Sequence, residues 1–247
     1  MANPYNENCI VLKKTKLGES DLIVTLLSEK GKQIRAVAKG ARKPGNKRFG
    51  ARVEPFSFVS LQLYPGKSLE NITELKLIDS HSACREVYEK ASSCTLVAEF
   101  LDKFSRDGDV GDVVFQLTNS YFAKISKSSA EESLVLTAAY FIKVFAFLGF
   151  KPALRECAIC SKELDGAQYF DISLGGTLCF DCASKHAITN NQKELIAWLV
   201  FLMYSTFDEI SEIESCPLKE VMHFIELWMN EHVGLHLKSA TLFKTLF

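Results

Sequence analysis

Two different hydrophobic periodicities follow one another along the 247-residue chain. In the first eighty residues, short segments rich in Val, Ile, Leu and Phe partly alternate apolar with polar positions, as half-buried β-strands do. Turn residues such as Gly18, Gly31 and the Pro65-Gly66 pair separate these segments. The predicted strands are CIVLKK (9–14), DLIVTLLS (21–28), KQIRAVAKG (32–40), FSFVSLQLY (56–64) and SLENITELKLID (68–79). Strands joined by turns rather than helices predict a small antiparallel barrel, for which an OB-fold is the natural candidate, and the pattern leaves an SH3-like barrel open.

From His81 onward, apolar residues recur at steps of three and four, which is typical of amphipathic helices. The segment 130–150 is apolar on most sides and is predicted to run through the middle of a bundle. Further helices are predicted over 190–210 and 217–234, where Pro217 suits a first helical turn.

The order of these patterns predicts an α+β multidomain protein. It has an N-terminal OB-fold β-barrel and a C-terminal helical bundle with an inserted four-cysteine zinc ribbon. The predicted domains are 1–80 for the nucleic-acid-binding barrel, 81–152 with 190–247 for the helical domain, and 153–189 for the ribbon.

Four of the eight cysteines are clustered. Cys157, Cys160, Cys179 and Cys182 form a C-x2-C-x18-C-x2-C pattern, in which each C-x-x-C turn can present two thiolates to one tetrahedral metal ion. Strand-like residues lie between the two pairs, with Gly175-Gly176 at the turn. The pattern predicts one structural Zn²⁺ per chain. A redox disulfide or an iron–sulfur cluster fits less well, because no βαβ unit surrounds the motif and the spacing is that of a ribbon. His186 is predicted to be a surface residue.

The N-terminus and the apolar tracts predict a cytoplasmic protein. The N-terminus lacks a basic segment followed by an apolar one, and the apolar tracts 134–150 and 195–207 carry a Lys or are too short for a membrane span. Cys9, Cys84, Cys94 and Cys216 are then expected to be small buried apolar residues.

Charge is distributed unevenly along the chain, although the net charge is only −1. Residues 1–52 carry 12 Lys/Arg against 4 Asp/Glu, and no acidic residue occurs between Lys30 and Arg52. Such asymmetry predicts a basic face for a polyanion. The candidate nucleic-acid contacts are Lys39, Arg42, Lys43, Lys47, Arg48 and Arg52. Phe49 has two interpretations: a ring on which a base stacks, or a loop aromatic that anchors the barrel.

Motifs for catalysis are missing from the sequence. GARKPGNK resembles a P-loop only in its glycine spacing, because Asn46 stands where Lys belongs and a strand follows instead of a helix. The sequence contains no H-E-x-x-H and no G-x-S-x-G. We therefore expect a binding protein rather than an enzyme.

The N-terminal segment and the layout of the chain resemble the RecO family of bacterial DNA repair proteins. The resemblance rests on GESDLIVTLLSEKG, on AKGAR, on the PF before a strand, and on the order of barrel, helical domain and late four-cysteine module. Many relatives have Ser before the loop Arg, where this chain has Lys47 before Arg48. The resemblance implies a recombination mediator that binds single- and double-stranded DNA and anneals complementary strands. It also implies association with RecR and with the acidic C-terminal tail of single-strand-binding protein, so that RecA loads on coated DNA.

Two other functions compete with this interpretation. The basic loop of a protein-interaction scaffold would bind acidic protein surfaces, and an RNA-binding zinc-ribbon protein would combine the same two folds.

Overall fold

The computed structural model describes residues 3–45 and 49–246. Five strands near the N-terminus form a closed barrel in which the neighbours follow the order β1-β2-β3-β5-β4. The strands are β1 (Tyr5–Leu17), β2 (Asp21–Ser28), β3 (Gln33–Ala38), β4 (Phe58–Tyr64) and β5 (Glu70–Asp79).

The pairing of the strands identifies the type of barrel. β1 pairs antiparallel with both β2 and β4, whereas β3 closes the barrel by a short parallel pairing with β5, at Ala36↔Glu70 and Val37↔Asn71. This Greek-key order is that of an OB-fold, so the predicted barrel is confirmed. β1 is longer than predicted, because its first residues pair with β4 while its last residues pair with β2.

The core of the barrel follows the alternation in the sequence. Val24, Leu26, Val59 and Leu61 point inward and are almost fully buried, as period-two strands require. The connection between β3 and β4 adds Phe49, which is 1% exposed, beside a 3₁₀ turn at Gly50–Val53.

Eight α-helices lie within the described part of the chain. The described residues of Met1–Ala130 and Leu237–Leu246 form a first compact unit, and Glu131–His236 forms most of a second. The first unit adds three helices to the barrel: α1 (Tyr88–Phe104), α2 (Asp112–Lys127) and α8 (Ser239–Phe243). Among the described residues, no helix is both long and apolar enough to cross a bilayer.

The second unit is built around a long buried helix. Its helices are α3 (Ala130–Phe147), α4 (Phe180–Lys185), α5 (Lys193–Tyr204), α6 (Phe207–Ser211) and α7 (Leu218–Trp228), and its two strands are β6 (Tyr169–Asp171) and β7 (Gly176–Leu178). Most side chains of α3 are buried, in agreement with its apolar sequence. A π-helical turn over Met229–Val233 follows α7.

The prediction of one helix over 190–210 is wrong. α5 ends at Tyr204, and Thr206 begins a separate helix as its N-cap. The Thr206 hydroxyl accepts a hydrogen bond from the Glu209 N–H at 3.2 Å, and the Glu209 carboxylate accepts one from the Thr206 N–H at 2.6 Å. This reciprocal capping box starts a new helix where apolar periodicity alone continues.

Candidate metal centre and nucleic-acid interface

The first pair of clustered cysteines lies in a tight turn. Glu156 and Glu163 form a bridge on either side of it, and the Cys157 N–H donates to the Lys162 carbonyl at 2.8 Å. The Ser161 N–H donates back to the Cys157 carbonyl at 2.8 Å. These bonds hold Cys157 and Cys160 on one side of the turn.

The second pair lies where a short hairpin meets a helix. β6 pairs with β7, and the chain then passes through Cys179, which is the N-cap of α4, to Cys182 within that helix. The two pairs are thus brought together by β-structure and a helical turn, as the ribbon prediction requires.

A close backbone approach at Gly176 joins this hairpin to the segment before the first turn. The Thr177 N–H donates to the Ala153 carbonyl at 2.7 Å, and the Ala153 N–H donates to the Gly175 carbonyl at 3.1 Å. A Cβ atom placed on Gly176 would lie 2.4 Å from the Ala153 carbonyl oxygen. Only glycine therefore fits at this position.

The four sulfur atoms fit a single metal ion. The Sγ atoms of Cys157, Cys160, Cys179 and Cys182 all lie within 4.8 Å of one another. The sulfurs of Cys160 and Cys179 are 3.8 Å apart, and thiolates about 2.3 Å from one tetrahedral centre are separated by about 3.8 Å. His186 is exposed and lies outside this cluster.

The backbone around Cys157 favours a thiolate. Burial opposes ionisation of this thiol, but the N–H groups of Cys160, Cys179 and Ile159 donate to its sulfur and lower its pKa to about 6. The hydrogen bond with Cys179 and burial raise the pKa of Cys182 to about 12. One thiolate thus forms readily in this cluster, and a bound cation would favour the others.

The basic segment is residues 30–52, and its residues 39–45 form a turn after β3, the basic turn. Lys39, Arg42 and Lys43 are exposed there, and Arg52 is exposed in the 3₁₀ turn that follows. Lys47 and Arg48 lie outside the described residues.

Hydrogen bonds fasten this turn to the β1–β2 hairpin. The Arg42 N–H donates to the Ser20 carbonyl at 2.8 Å, and the Arg42 guanidinium donates to the Gly18 carbonyl at 3.1 Å. The Asp21 carboxylate accepts from the Gly40 N–H at 2.7 Å. This bond, together with Ser20 and the charges of Lys39 and Lys43, lowers the pKa of Asp21. The start of the loop is therefore ordered.

Ion pairing distinguishes the lysines before β3 from the described cations after it. Lys30 and Lys32, before β3, lie 4.0 Å from a Glu7 oxygen and 3.9 Å from an Asp109 oxygen. Within residues 3–45 and 49–246, no carboxylate forms an ion pair with the cations that follow β3, which are Lys39, Arg42, Lys43 and Arg52. These four side chains are exposed, and the Asp21 carboxylate near Lys39 and Lys43 forms no ion pair with them.

Phe49 belongs to the barrel interior. It packs with Val53 and Leu63 in the core cluster and is 1% exposed. Of the two interpretations of this ring, the structure favours the anchor, because a ring this buried presents no face to a base.

Family comparison covers almost the whole chain. The N-terminal model of recombination protein O matches residues 1–81, and the C-terminal model of recombination protein O matches residues 85–241. The chain belongs to the RecO family. Members of this family act in DNA repair and recombination, in general as DNA-binding mediators rather than as catalytic enzymes.

The two candidate sites fall in different parts of this RecO-family chain. The basic turn lies within the N-terminal match, and the four cysteines lie within the C-terminal match. The tertiary structure also reveals a group of cations that sequence reasoning missed. They line a cleft of about 730 Å³ on the first compact unit, and they are Lys13, Lys14, Lys103, Arg106 and Lys238. No local motif marks them, because they come from three distant stretches of sequence.

Proposed function

We propose that this chain binds single- and double-stranded DNA through its barrel and anneals complementary single strands. It would act with RecR and with the C-terminal tail of single-strand-binding protein, and so help RecA to load in recombinational repair. Membership of the RecO family supports this role. A protein with this role would work in the cytoplasm, at the nucleoid.

The observation that carries the proposal is a set of exposed cations on an OB-fold barrel, none of which forms an ion pair within the described part of the chain. We assign the DNA contacts to Lys39, Arg42, Lys43, Lys47, Arg48 and Arg52. These side chains neutralise phosphates and release counterions without reading base edges, so little sequence preference is expected. By lowering the repulsion between two strands, the same charge favours annealing.

We assign the four-cysteine cluster to Zn²⁺ with a structural role. Four thiolates fill the tetrahedral shell and leave no position for water. The metal would hold the ribbon, proposed as residues 153–189, within a helical domain proposed as 81–152 and 190–247. Residues 1–80 would be the DNA-binding domain.

A charge-neutralised loop tests the proposal. The triple variant Arg42→Gln, Lys43→Gln and Arg52→Gln is compared with the wild type for binding of labelled single-stranded DNA across a salt series. If about five phosphates are neutralised, log K of the wild type falls with log salt at a slope of about −3.5. The variant should have a lower affinity and a shallower slope.

A matched control neutralises cations that are already paired with carboxylates, Lys30→Gln with Lys32→Gln. This pair should change DNA affinity much less than the loop variant does. Equal affinity of loop variant and wild type would contradict the assigned residues. Salt-independent binding, or binding of acidic proteins instead of DNA, would favour the scaffold function. The same protein preparation is then tested for annealing of complementary strands with and without single-strand-binding protein. This comparison tests the proposed partner.

A further inference from the structure

A cleft of about 730 Å³ lies on the first compact unit, between β1, the segment after the basic turn, and helix α1. Its floor is apolar and includes the buried side chains of Leu12, Phe56 and Ala98. Its rim carries more positive than negative charge. The cations are Lys13, Lys14, Lys103, Arg106 and Lys238, and the carboxylates are Glu99 and Asp102.

The carboxylates near the cleft already interact with cations of its rim. Asp102 Oδ2 lies 3.6 Å from Lys13 Nζ and 2.9 Å from Arg106 Nη2. Glu99 pairs with Lys103 at 3.0 Å, and Lys14 Nζ donates to Glu54 at 2.6 Å. With Glu54 included, five cations face three carboxylates, so two positive charges remain for an anionic ligand.

The cleft continues the chain segment that carries the basic turn. Pro55, which lines the cleft, is three residues after Arg52.

Hydrogen bonds fix the wall of the cleft at Pro55 and Phe56. The Arg85 guanidinium donates to the Pro55 carbonyl at 2.6 Å, and the Phe56 N–H donates to the Val11 carbonyl at 2.7 Å. Phe56 has a φ of +74°, which costs a bulky residue roughly 1–2 kcal/mol. Such a conformation persists only where the surrounding contacts hold it.

We propose that this cleft is a second segment of the DNA path, in which phosphates of a single strand bind the cationic rim. The inference rests on the proposed DNA binding and extends it beyond the loop after β3. A nucleic acid fits better than an acidic peptide, because the cleft adjoins the end of the basic segment. Arg52 and the cleft-lining Pro55 are only three residues apart in the same compact unit.

Substitutions at Thr95 test the cleft without disturbing an ion pair. Thr95 lines the cleft from α1 and is exposed. Thr95→Arg should raise the affinity for a single strand of about 20 nucleotides, and Thr95→Glu should lower it. One phosphate contact is worth roughly fivefold in affinity at about 0.1 M salt, and it changes the salt slope by about 0.7. A strand of about 6 nucleotides, short enough to occupy the loop alone, should respond less.

Gln116→Arg and Gln116→Glu are matched controls, because Gln116 is exposed on α2 of the same unit and does not line the cleft. Thermal unfolding of all four variants checks that the fold is intact. As a readout that needs no variant, photo-crosslinking of wild-type protein to a bromodeoxyuridine-labelled 20-mer should modify residues 95–106.

Three outcomes would overturn the inference. The Thr95 variants could bind the long strand as the Gln116 variants do, or the crosslinks could avoid α1. A synthetic peptide of alternating Asp and Phe could bind the wild type and lose affinity with Thr95→Glu while DNA binding stays constant, which would make the cleft a peptide groove. If the loop variant weakens DNA binding but the Thr95 variants do not, only the cleft fails. If neither changes DNA binding, the loop assignment of the proposed function fails as well.

Discussion

The carboxylate of Glu99 accepts two hydrogen bonds from Ser239, one from its N–H at 2.8 Å and one from its hydroxyl at 2.6 Å. The N–H of Lys238 donates to the same carboxylate at 2.9 Å. One side chain of α1 thus satisfies the backbone donors that begin α8, 140 residues further along the chain. This contact attaches the C-terminal helix to the unit that contains the barrel.

Substitution of Glu99 should loosen that helix. Glu99→Gln keeps an acceptor oxygen but loses the charge that strengthens these bonds, and we expect a cost of about 1–2 kcal/mol in the free energy of unfolding. Hydrogen exchange should accelerate mainly in 237–246. Glu131→Gln, in the first turn of α3, is a control that should leave exchange in this segment unchanged. Equal rates of hydrogen exchange over 237–246 in both variants and the wild type would contradict the role of Glu99.

The same contact predicts a pH dependence. Burial opposes ionisation of Glu99, but the hydrogen bonds from Ser239 and Lys238 and the one from Lys103 prevail and lower its pKa to about 2 from the ordinary 4.5. Because the folded pKa lies below the unfolded one, the stabilisation is complete above about pH 4.5 and is lost as the pH falls towards about 2. The difference in stability between wild type and Glu99→Gln should shrink over that window in urea titrations.

Phe49 should matter for stability more than for DNA binding. Removal of a fully buried phenyl ring leaves a cavity, so Phe49→Ala should lower the free energy of unfolding by about 3–5 kcal/mol. Phe49→Leu should cost less, because it refills part of the volume. Both are measured by urea unfolding beside single-strand affinity. A DNA affinity that falls while stability is unchanged would restore the stacking interpretation.

Loss of the metal ligands should separate folding from DNA binding. Elemental analysis should find about one zinc per wild-type chain, and the double variant Cys157→Ser with Cys160→Ser should bind none. Its thermal stability should drop, because metal binding at so small a site contributes folding free energy on the order of 10 kcal/mol. DNA affinity should change little. Cys216→Ser lies outside the cluster and should keep its zinc. If the variant lost DNA affinity together with stability, the ribbon would be part of the DNA-binding surface of the protein.

Gly176→Ala should destabilise the ribbon without touching a cysteine. The added methyl group would clash with the Ala153 carbonyl, and such overpacking costs about 1–3 kcal/mol. Gly108→Ala is the control, because a Cβ there meets no atom within 4 Å. The two variants are compared by thermal unfolding and by release of zinc to a chelator. Equal behaviour would mean that the backbone shifts to accommodate the methyl group.

Sequence patterns predicted those elements in which a residue type and its spacing act locally. The strands of the barrel, the long buried helix and the two C-x-x-C turns follow from alternation, helical periodicity and thiolate pairs. The ends of β1 were missed because exposed polar residues there pair with two different strands. The break between α5 and α6 was missed because the apolar period runs through a capping box at Thr206.

The sequence by itself determined the barrel, the pattern of four clustered cysteines and the excess of positive charge near the N-terminus, since each depends on neighbours along the chain. Only the tertiary structure decided the parallel pairing of β3 with β5, the burial of Phe49 and the pairing of Lys30 and Lys32 with acidic residues. It also decided that Lys13, Lys103 and Lys238 line the same cleft. These features depend on distances between residues far apart in sequence, and such distances are set by packing of the whole unit rather than by local pattern.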